Sequence, residues 1–384
     1  MEITQPATPA LLHWKIAGKS LSARWRSEAA NPPPRRVVVA DDTTTADAAY
    51  KMACEGTAML WQGDFQNARQ LLQALSRRVE RKPRKPKVVV PAPDAAQIFH
   101  LHRQAQSQRA RVLAMLLVPL AGDYSIALRR APAWQVACEE TYGPADGIAS
   151  VVTLRELLGL VGAHEWRKKG VEIAPLGARI YPHYGVFSPV RGEYIALVKQ
   201  APLPSKTLAF DIGTGTGVLA AVLARRGVQK VVATELDQRA LDCARDNLQR
   251  LDLVAQVEVL QADLFPPGKA PLVVCNPPWI PARPSSPIEA AVYDADSRML
   301  HGFIDGLAEH LEPAGEGWLI LSDLAEHLGL RTRDALLARI AAAGLRVVDR
   351  MEAQPTHAKA KDASDPLHSA RSQEVTSLWR LMLA

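Results

Sequence analysis

The chain has 384 residues, 48% of them hydrophobic and 22% charged, which excludes a disordered or low-complexity protein and leaves room for two domains. No apolar run approaches the ~20 residues that cross a bilayer, and Met1-Glu2-Ile3-Thr4-Gln5 lacks the basic-then-apolar layout of a signal peptide, so the expected location is the cytoplasm. Charge is uneven: residues 1–200 hold 27 Lys and Arg against 17 Asp and Glu, a balance of +10, and residues 201–384 hold 19 against 23, a balance of −4.

A basic front half invites a nucleic-acid or ribosomal partner. The four cysteines (Cys54, Cys138, Cys243 and Cys275) stand far apart, without the paired spacing of a disulfide framework or a zinc site, so no metal is expected.

In chain order, Leu11, Leu12, Trp14, Ile16, Leu21 and Trp25 among basic residues suggest an amphipathic helix within residues 1–30, ended by Asn31-Pro32-Pro33-Pro34. Arg35 to Asp42 reads as a strand, Thr43 to Ala53 as a helix, Thr57 to Trp61 as a strand and Asn67 to Arg81 as a helix. This β-α-β-α order predicts a small α/β domain over residues 1–150, without a glycine-rich cofactor loop, that recruits substrate or serves a structural role. Arg81 to Lys87 is the densest basic stretch. Its prolines keep it extended, so it is either a solvated linker or a track for a phosphate backbone. Residues 113–150 carry no clear periodicity. Thr153 to Gly170 is a helix with Arg167-Lys168-Lys169 at the negative end of its dipole. Val171–Ile173 and Ala178–Tyr181 suggest a hairpin, and His183, Tyr184 and Arg191 that follow read as packing or capping residues as readily as substrate contacts.

From Leu208 the pattern is regular. A strand runs into Asp211-Ile212-Gly213-Thr214-Gly215-Thr216-Gly217, and a helix follows from Val218. A glycine loop between strand and helix admits a ligand close to the backbone, at the positive end of the helix dipole. A dinucleotide fingerprint wants its third glycine three residues after the second, but here Val218 stands there and the third glycine comes early, at Gly217. An acidic residue before an alternating glycine loop suits S-adenosylmethionine (SAM), whose ammonium group needs an oxygen partner. Glu235 ends the next strand, 22 residues after Gly213, where a carboxylate accepts ribose hydroxyls. Asp263 follows the third strand as a candidate acceptor for an adenine amino group, with Leu264 and Phe265 as apolar walls.

The fourth strand delivers Asn276-Pro277-Pro278-Trp279. Prolines cannot continue a central strand, so the chain must leave the sheet with an amide and an aromatic ring on a stiff turn, at the strand end where open α/β sheets bind ligands. A proline-rich loop (Pro281, Pro284, Pro287) comes next as a possible cover for substrate. Further strands are expected over Gly317–Ser322, Leu345–Met351 and Thr376–Leu383, with helices at 298–311 and Asp334–Ala343, and a long polar stretch, His357 to Ser372, before the last strand. The fold class is α/β, with a seven-stranded, doubly wound (Rossmann-like) sheet at the C-terminus over residues 151–384, led by a helix and hairpin.

On Asp211 to Gly217, Glu235, Asp263 and Asn276 to Trp279, residues 183–384 resemble the class I SAM-dependent methyltransferases. The likeness is to their methyltransferase small domain group, which includes release-factor glutamine methyltransferases and the guanine-N2 methyltransferases of ribosomal RNA. The final aromatic, usually Tyr or Phe in that group, is Trp279 here. Pro189-Val190-Arg191-Gly192-Glu193 likewise departs from the glutamine branch's Pro-Arg-Pro pattern. The resemblance implies SAM as cofactor, bound by Asp211, Gly213, Thr214, Gly215, Gly217, Glu235, Asp263, Leu264 and Asn276. It implies a catalytic motif of Asn276, Pro277, Pro278 and Trp279, in which the Asn276 side-chain oxygen and the Pro277 carbonyl accept the two hydrogens of a planar nitrogen and Trp279 stacks on the flat group. The expected acceptor is an exocyclic base amine of RNA or DNA, or a protein glutamine amide. The competing readings are a protein that kept the fold and binds RNA or the ribosome without catalysis, and a nicotinamide-dependent oxidoreductase, which the glycine spacing disfavours.

Overall fold

The computed structural model describes residues 10–80, 93–189, 192–355 and 362–384. The basic stretch Arg81–Lys87, Val190, Arg191 and the first part of the polar stretch from His357 lie outside them. The chain divides into two compact units, one of Met1–Pro91 with His102–Glu165 and the other of Ala92–Leu101 with Trp166–Ala384.

The first unit opens with a β-hairpin, β1 (Leu11–Ile16) and β2 (Lys19–Trp25), where the sequence reading expected a helix. The period is two: Leu12 is buried with Trp14 and Ile16 following on the same face, while Leu11, His13 and Lys15 are exposed. Ala17 and Gly18, with φ of 48° and 78°, form the two-residue turn that joins them. Next come β3 (Arg36–Ala40), α1 (Ala46–Cys54), β4 (Thr57–Trp61), α2 (Phe65–Val79), α3 (Ala95–Leu113, in this unit from His102), β5 (Leu116–Leu120), α4 (Gln135–Tyr142), β6 (Ser150–Thr153) and α5 (Leu154–Lys169, in this unit to Glu165). Thr45 and Asp64 cap α1 and α2, accepting from Ala48 N and Gln66 N. The six strands form one mixed sheet in the order β1-β2-β6-β5-β4-β3. β5, from the stretch that showed no clear periodicity, and β6, which starts where that stretch ends, fill its middle. All four residues of β6 are buried, so neither face leaves a polar alternation to read.

The second unit begins with the expected hairpin, β7 (Val171–Ile173) and β8 (Ala178–Ile180), and α6 (Glu193–Gln200). Its main sheet is built from β9 (Leu208–Ile212), β10 (Lys230–Glu235), β11 (Val257–Gln261), β12 (Ala270–Cys275), β13 (Leu311–Ser322), β14 (Leu345–Ala353) and β15 (Thr376–Leu383). The order is β11-β10-β9-β12-β13-β15-β14, parallel except for β15, which runs against both its neighbours. The helices are α7 (Val218–Arg225), α8 (Gln238–Arg250), α9 (Arg298–His310), α10 (Leu324–His327), α11 (Arg333–Ala342) and α12 (His368–Arg371).

Alternate residues of each strand feed two cores. Ala209, Val231, Leu272, Val274, Trp318 and Leu378 pack with α6 and α7 on one face. Phe210, Val232, Val273, Cys275, Leu319 and Leu381 pack with α9 and α11 on the other. The chain moves outward from β9 through β10 to β11, then returns to β12 on the opposite side of β9. That reversal opens a crevice at the carboxyl ends of β9 and β12, the general ligand position of doubly wound sheets.

Candidate active site

Three strand ends meet the start of α9 in a cleft open to solvent, lined by Ile212, Gly213, Glu235, Leu236, Ala262, Asp263, Leu264, Arg298 and Met299. Of the residues singled out in the sequence, Gly213, Glu235, Asp263 and Leu264 converge here. Each owes its place to the end of a parallel strand, where the backbone is released from the ladder in the same direction as its neighbours.

The other loop residues support this wall. Asp211 is 1% exposed, and its Oδ2 accepts from Thr214 Oγ1 at 2.6 Å and from Ala220 N at 3.0 Å, so its carboxylate braces the glycine loop against the first turn of α7. Gly215 N donates to Glu235 Oε2 at 3.1 Å, and Glu235 Oε1 accepts from Leu236 N at 2.8 Å and Asp237 N at 3.1 Å. Gly217, at φ 79°, begins α7 where a Cβ would come within 3.4 Å of the Ala244 backbone on α8. Gly213, at φ 70°, lets the Met299 methyl lie directly over the loop, in space that any side chain there would claim.

Backbone strain gathers around the cleft. Leu264 has φ 71°, and Asp296 and Ser297, just before α9, have φ of 58° and 54°. Such conformations cost about 1–3 kcal/mol each for residues with side chains, and they persist where surrounding bonds hold them. Thr234 Oγ1 donates to the Leu264 carbonyl at 2.5 Å, and Asp294 caps α9 by accepting from Met299 N at 2.8 Å.

Five wall residues were not singled out as site residues from the sequence: Ile212, Leu236, Ala262, Arg298 and Met299. Leu236 is 53% exposed beside Glu235, an apolar side chain left at the mouth of the cleft. Arg298 pairs with Asp263 across the opening at 2.6 Å, both side chains more than half exposed. The position after a strand-end carboxylate was the one available signal for Leu236. Nothing in the spacing brings residue 298 to residue 263.

The Asn276 motif leaves the sheet where β12 ends, one strand away from the glycine loop, with Pro277 buried and Asn276, Pro278 and Trp279 half-buried. Asn276 is not among the cleft-lining residues. Trp279 Nε1 donates to Asn276 Oδ1 at 2.9 Å, and the tryptophan ring packs against both sheet cores. The loop beyond is closed at its base by Ile280 N to Val292 O and Asp294 N to Ile280 O, at 3.1 and 2.9 Å. Cys275, adjoining Asn276, is fully buried, and burial pushes its thiol well above the ordinary range, which leaves no thiolate to act as a nucleophile. His183 pairs with Asp246 on α8 at 3.3 Å, and Tyr184 lies beneath the Arg239 guanidinium at 5.6 Å, so both pack against α8. Among the described residues no group of three or more His, Cys, Asp or Glu side chains converges as a metal site, and no helix is long and apolar enough to cross a membrane.

The cleft fits SAM by the chemistry of its donor set. A carboxylate at a strand end suits a ribose diol, a second carboxylate suits an adenine amino group, and Ile212, Leu236, Leu264 and Met299 supply apolar walls for the ring. Sheet order and site together define a doubly wound, Rossmann-like domain with a cleft at its strand ends whose donor set suits SAM. Residues 178–332 match the family model of the methyltransferase small domain, and the likeness to that group is shown over this stretch.

The release factor glutamine methyltransferase of Caulobacter vibrioides is 34% identical over 155 residues, covering 38% of this chain and 54% of that protein. The tRNA1(Val) (adenine(37)-N6)-methyltransferase of Bacteroides thetaiotaomicron is 30% identical over 126 residues, 31% of this chain and 53% of that protein. The chain thus spans about half the length of these two relatives. A solved SAM-dependent methyltransferase from Thiobacillus denitrificans, in complex with S-adenosyl-L-homocysteine, superposes with a TM-score of 0.37 at 17% identity, over 52% of this chain and 92% of that one.

Burial raises the Asp211 carboxyl to about 6, with the nearby Glu235 adding to the rise and the Thr214 and Ala220 bonds opposing it. A raised value means that the protonated form favours the fold. The associated stability is full below the ordinary carboxyl range and is lost as pH climbs through about 6. Asp211→Asn keeps an oxygen acceptor and removes the charge. It is therefore expected to gain on the wild type by up to about 3 kcal/mol between pH 4 and pH 8. Urea denaturation of both proteins across that range measures it, and a difference that stays flat with pH would rule out the raised carboxyl.

Proposed function

We propose that this protein is a SAM-dependent N-methyltransferase that modifies a planar nitrogen. The observation that carries the reading is the placement of an amide oxygen, on a proline-stiffened turn, one strand away from a cleft whose donors suit SAM. When bound, SAM supplies an electrophilic methyl group on its sulfonium sulfur.

The chain's own residues have to bind, orient and keep out water. Glu235 and Asp263 hold the polar edges of the cofactor, and Leu236, Leu264 and Met299 cover its ring. Asn276 Oδ1 and the Pro277 carbonyl accept the two hydrogens of the acceptor's amino group, which turns the nitrogen lone pair away from its conjugated system and toward the cleft. Orientation of this kind supplies several kcal/mol, up to about 7–11 in ideal cases. It needs no nucleophilic side chain, in keeping with the buried, protonated Cys275.

Both an exocyclic base amine and a glutamine amide present this flat N–H group, and relatives named for each kind of acceptor match the chain. The +10 balance of residues 1–200 favours RNA or ribosomal material, with the N-terminal unit as its recruiting surface. The test is transfer of tritiated methyl from SAM into lysate of a strain lacking the protein, followed by fractionation into RNA, DNA and protein. Label is expected in the RNA fraction. Label in protein alone would assign a glutamine-type acceptor, and no transfer despite SAM binding would favour a non-catalytic binding protein.

A further inference from the structure

Trp279 has a job that its expected role, stacking on the acceptor, does not describe. Its ring is half-buried and wedged where three apolar clusters meet: the two sheet cores and a third built on Phe99, Ile280 and Leu324. A ring held on several sides has little freedom to adjust to a substrate. What it presents to the site is its edge, and the indole N–H on that edge donates to Asn276 Oδ1 at 2.9 Å.

An indole N–H can only donate. A carboxamide has one acceptor atom and one donor group, and the two are close in shape, so rotation by half a turn would exchange them at little steric cost. The indole removes that freedom, because the flipped amide would set its N–H₂ against another N–H. The amide is thereby locked with Oδ1 toward Trp279, and an amide oxygen has a second lone pair left to accept from a substrate. Phenylalanine in this place could fill the volume but could not donate, and a tyrosine hydroxyl would sit at the far end of its ring.

We infer that Trp279 is a positioning residue that acts through Asn276: it fixes the amide so that the site offers an acceptor, and so selects substrates that bring an N–H donor over those that bring a carbonyl or a bare ring nitrogen. The inference rests on the proposed N-methyltransferase reading and adds to it a residue that sets the polarity of recognition.

The experiment has two arms. The first follows hydrogen exchange of the Trp279 indole N–H by ¹⁵N–¹H NMR, the resonance being assigned by its loss in Trp279→Phe. It is expected to be protected in the wild type and to exchange about tenfold faster or more in Asn276→Ala, from loss of one hydrogen bond. The second compares wild type, Trp279→Phe, Asn276→Asp and the double variant for tritiated methyl transfer into whichever lysate fraction the wild type labels. Trp279→Phe is expected to lower the rate at saturating acceptor about tenfold. Half-saturation and SAM affinity should move less than about threefold, since neither depends on the flip. In the Asn276→Asp background, where both oxygens accept, the phenylalanine should cost little more. Unchanged indole exchange in Asn276→Ala would overturn the bond, and should Trp279→Phe not fold, a second variant, Trp279→Tyr, assigns the resonance by its loss so that this arm still reads out. Full activity of Trp279→Phe, or an equal loss in both backgrounds, would overturn the positioning role. Absence of label with the wild type is a separate outcome, which counts against the methyltransferase reading while the exchange arm still decides the bond.

Discussion

Replacing Asn276 with alanine is expected to lower methyl transfer by about 10²–10³-fold, the size of effect seen when one preorganised polar contact to a reacting group is removed. SAM affinity should stay within about twofold, because Asn276 is not among the residues that line the cleft. On the proposed reading the nitrogen to be methylated is a weak nucleophile, its lone pair shared with a neighbouring ring or carbonyl. Without the amide oxygen its two hydrogens have only the Pro277 carbonyl to meet, and the lone pair is free to stay delocalised in the π system. The fold should tolerate the change. Asn276 is half-buried at the end of β12, and the side-chain bond it forfeits is the one from Trp279. Calorimetric titration with SAM beside a labelled-methyl assay separates the two quantities. A parallel loss of cofactor affinity would place Asn276 in the cofactor site instead of the acceptor site.

How much of this site could be read from the chain depends on what kind of signal each residue carries. The strand ends were legible because buried parallel strands are continuous apolar runs, and a polar residue that stops such a run is conspicuous; Glu235 and Asn276 are of this kind. The reversal of strand order that opens the crevice followed from the number and sequence of strands. Side-chain partnerships were not legible. Asp211 stands before the glycine loop as a ligand for SAM would, yet its burial turns it to Thr214 and Ala220, and no sequence pattern distinguishes those two outcomes. Arg298 and Met299 reach the cleft only because the strained pair Asp296 and Ser297 turns the chain into α9 at that point.

In the first unit the hairpin Leu11–Trp25 mimicked a helix because basic residues separate its apolar ones on both readings of the period. The turn at Ala17 and Gly18 decides between them, and alanine at positive φ gives no warning in the sequence. β5 and β6 escaped notice for the opposite reason: strands buried on both faces and only four or five residues long have no period to detect.

Glu235→Ala should show the reverse dissociation, weakening SAM binding by about 30–100-fold, the loss of charge-assisted bonds worth about 2–3 kcal/mol in total. Two contributions add. The carboxylate is the candidate acceptor for the ribose hydroxyls, and it also ties the glycine loop to the end of β10 through Gly215 N, while Leu236 N and Asp237 N fix its own position. A side chain held by three backbone donors is oriented before any ligand arrives, so little ordering entropy is lost when the cofactor binds. Glu235→Gln retains one oxygen acceptor and should fall between the two, with about a tenfold loss. Turnover at saturating SAM should recover most of the wild-type rate in both variants, because Asn276, the amide proposed to face the acceptor just beyond β12, is untouched. If calorimetry found SAM affinity unaltered in Glu235→Ala, the ribose role would be wrong and the carboxylate would be a loop clamp alone. If instead turnover stayed low at saturating SAM, the loop held by Gly215 would have to reach the reacting centre as well, and the separation between a cofactor side at β9 to β11 and an acceptor side at β12 would not hold.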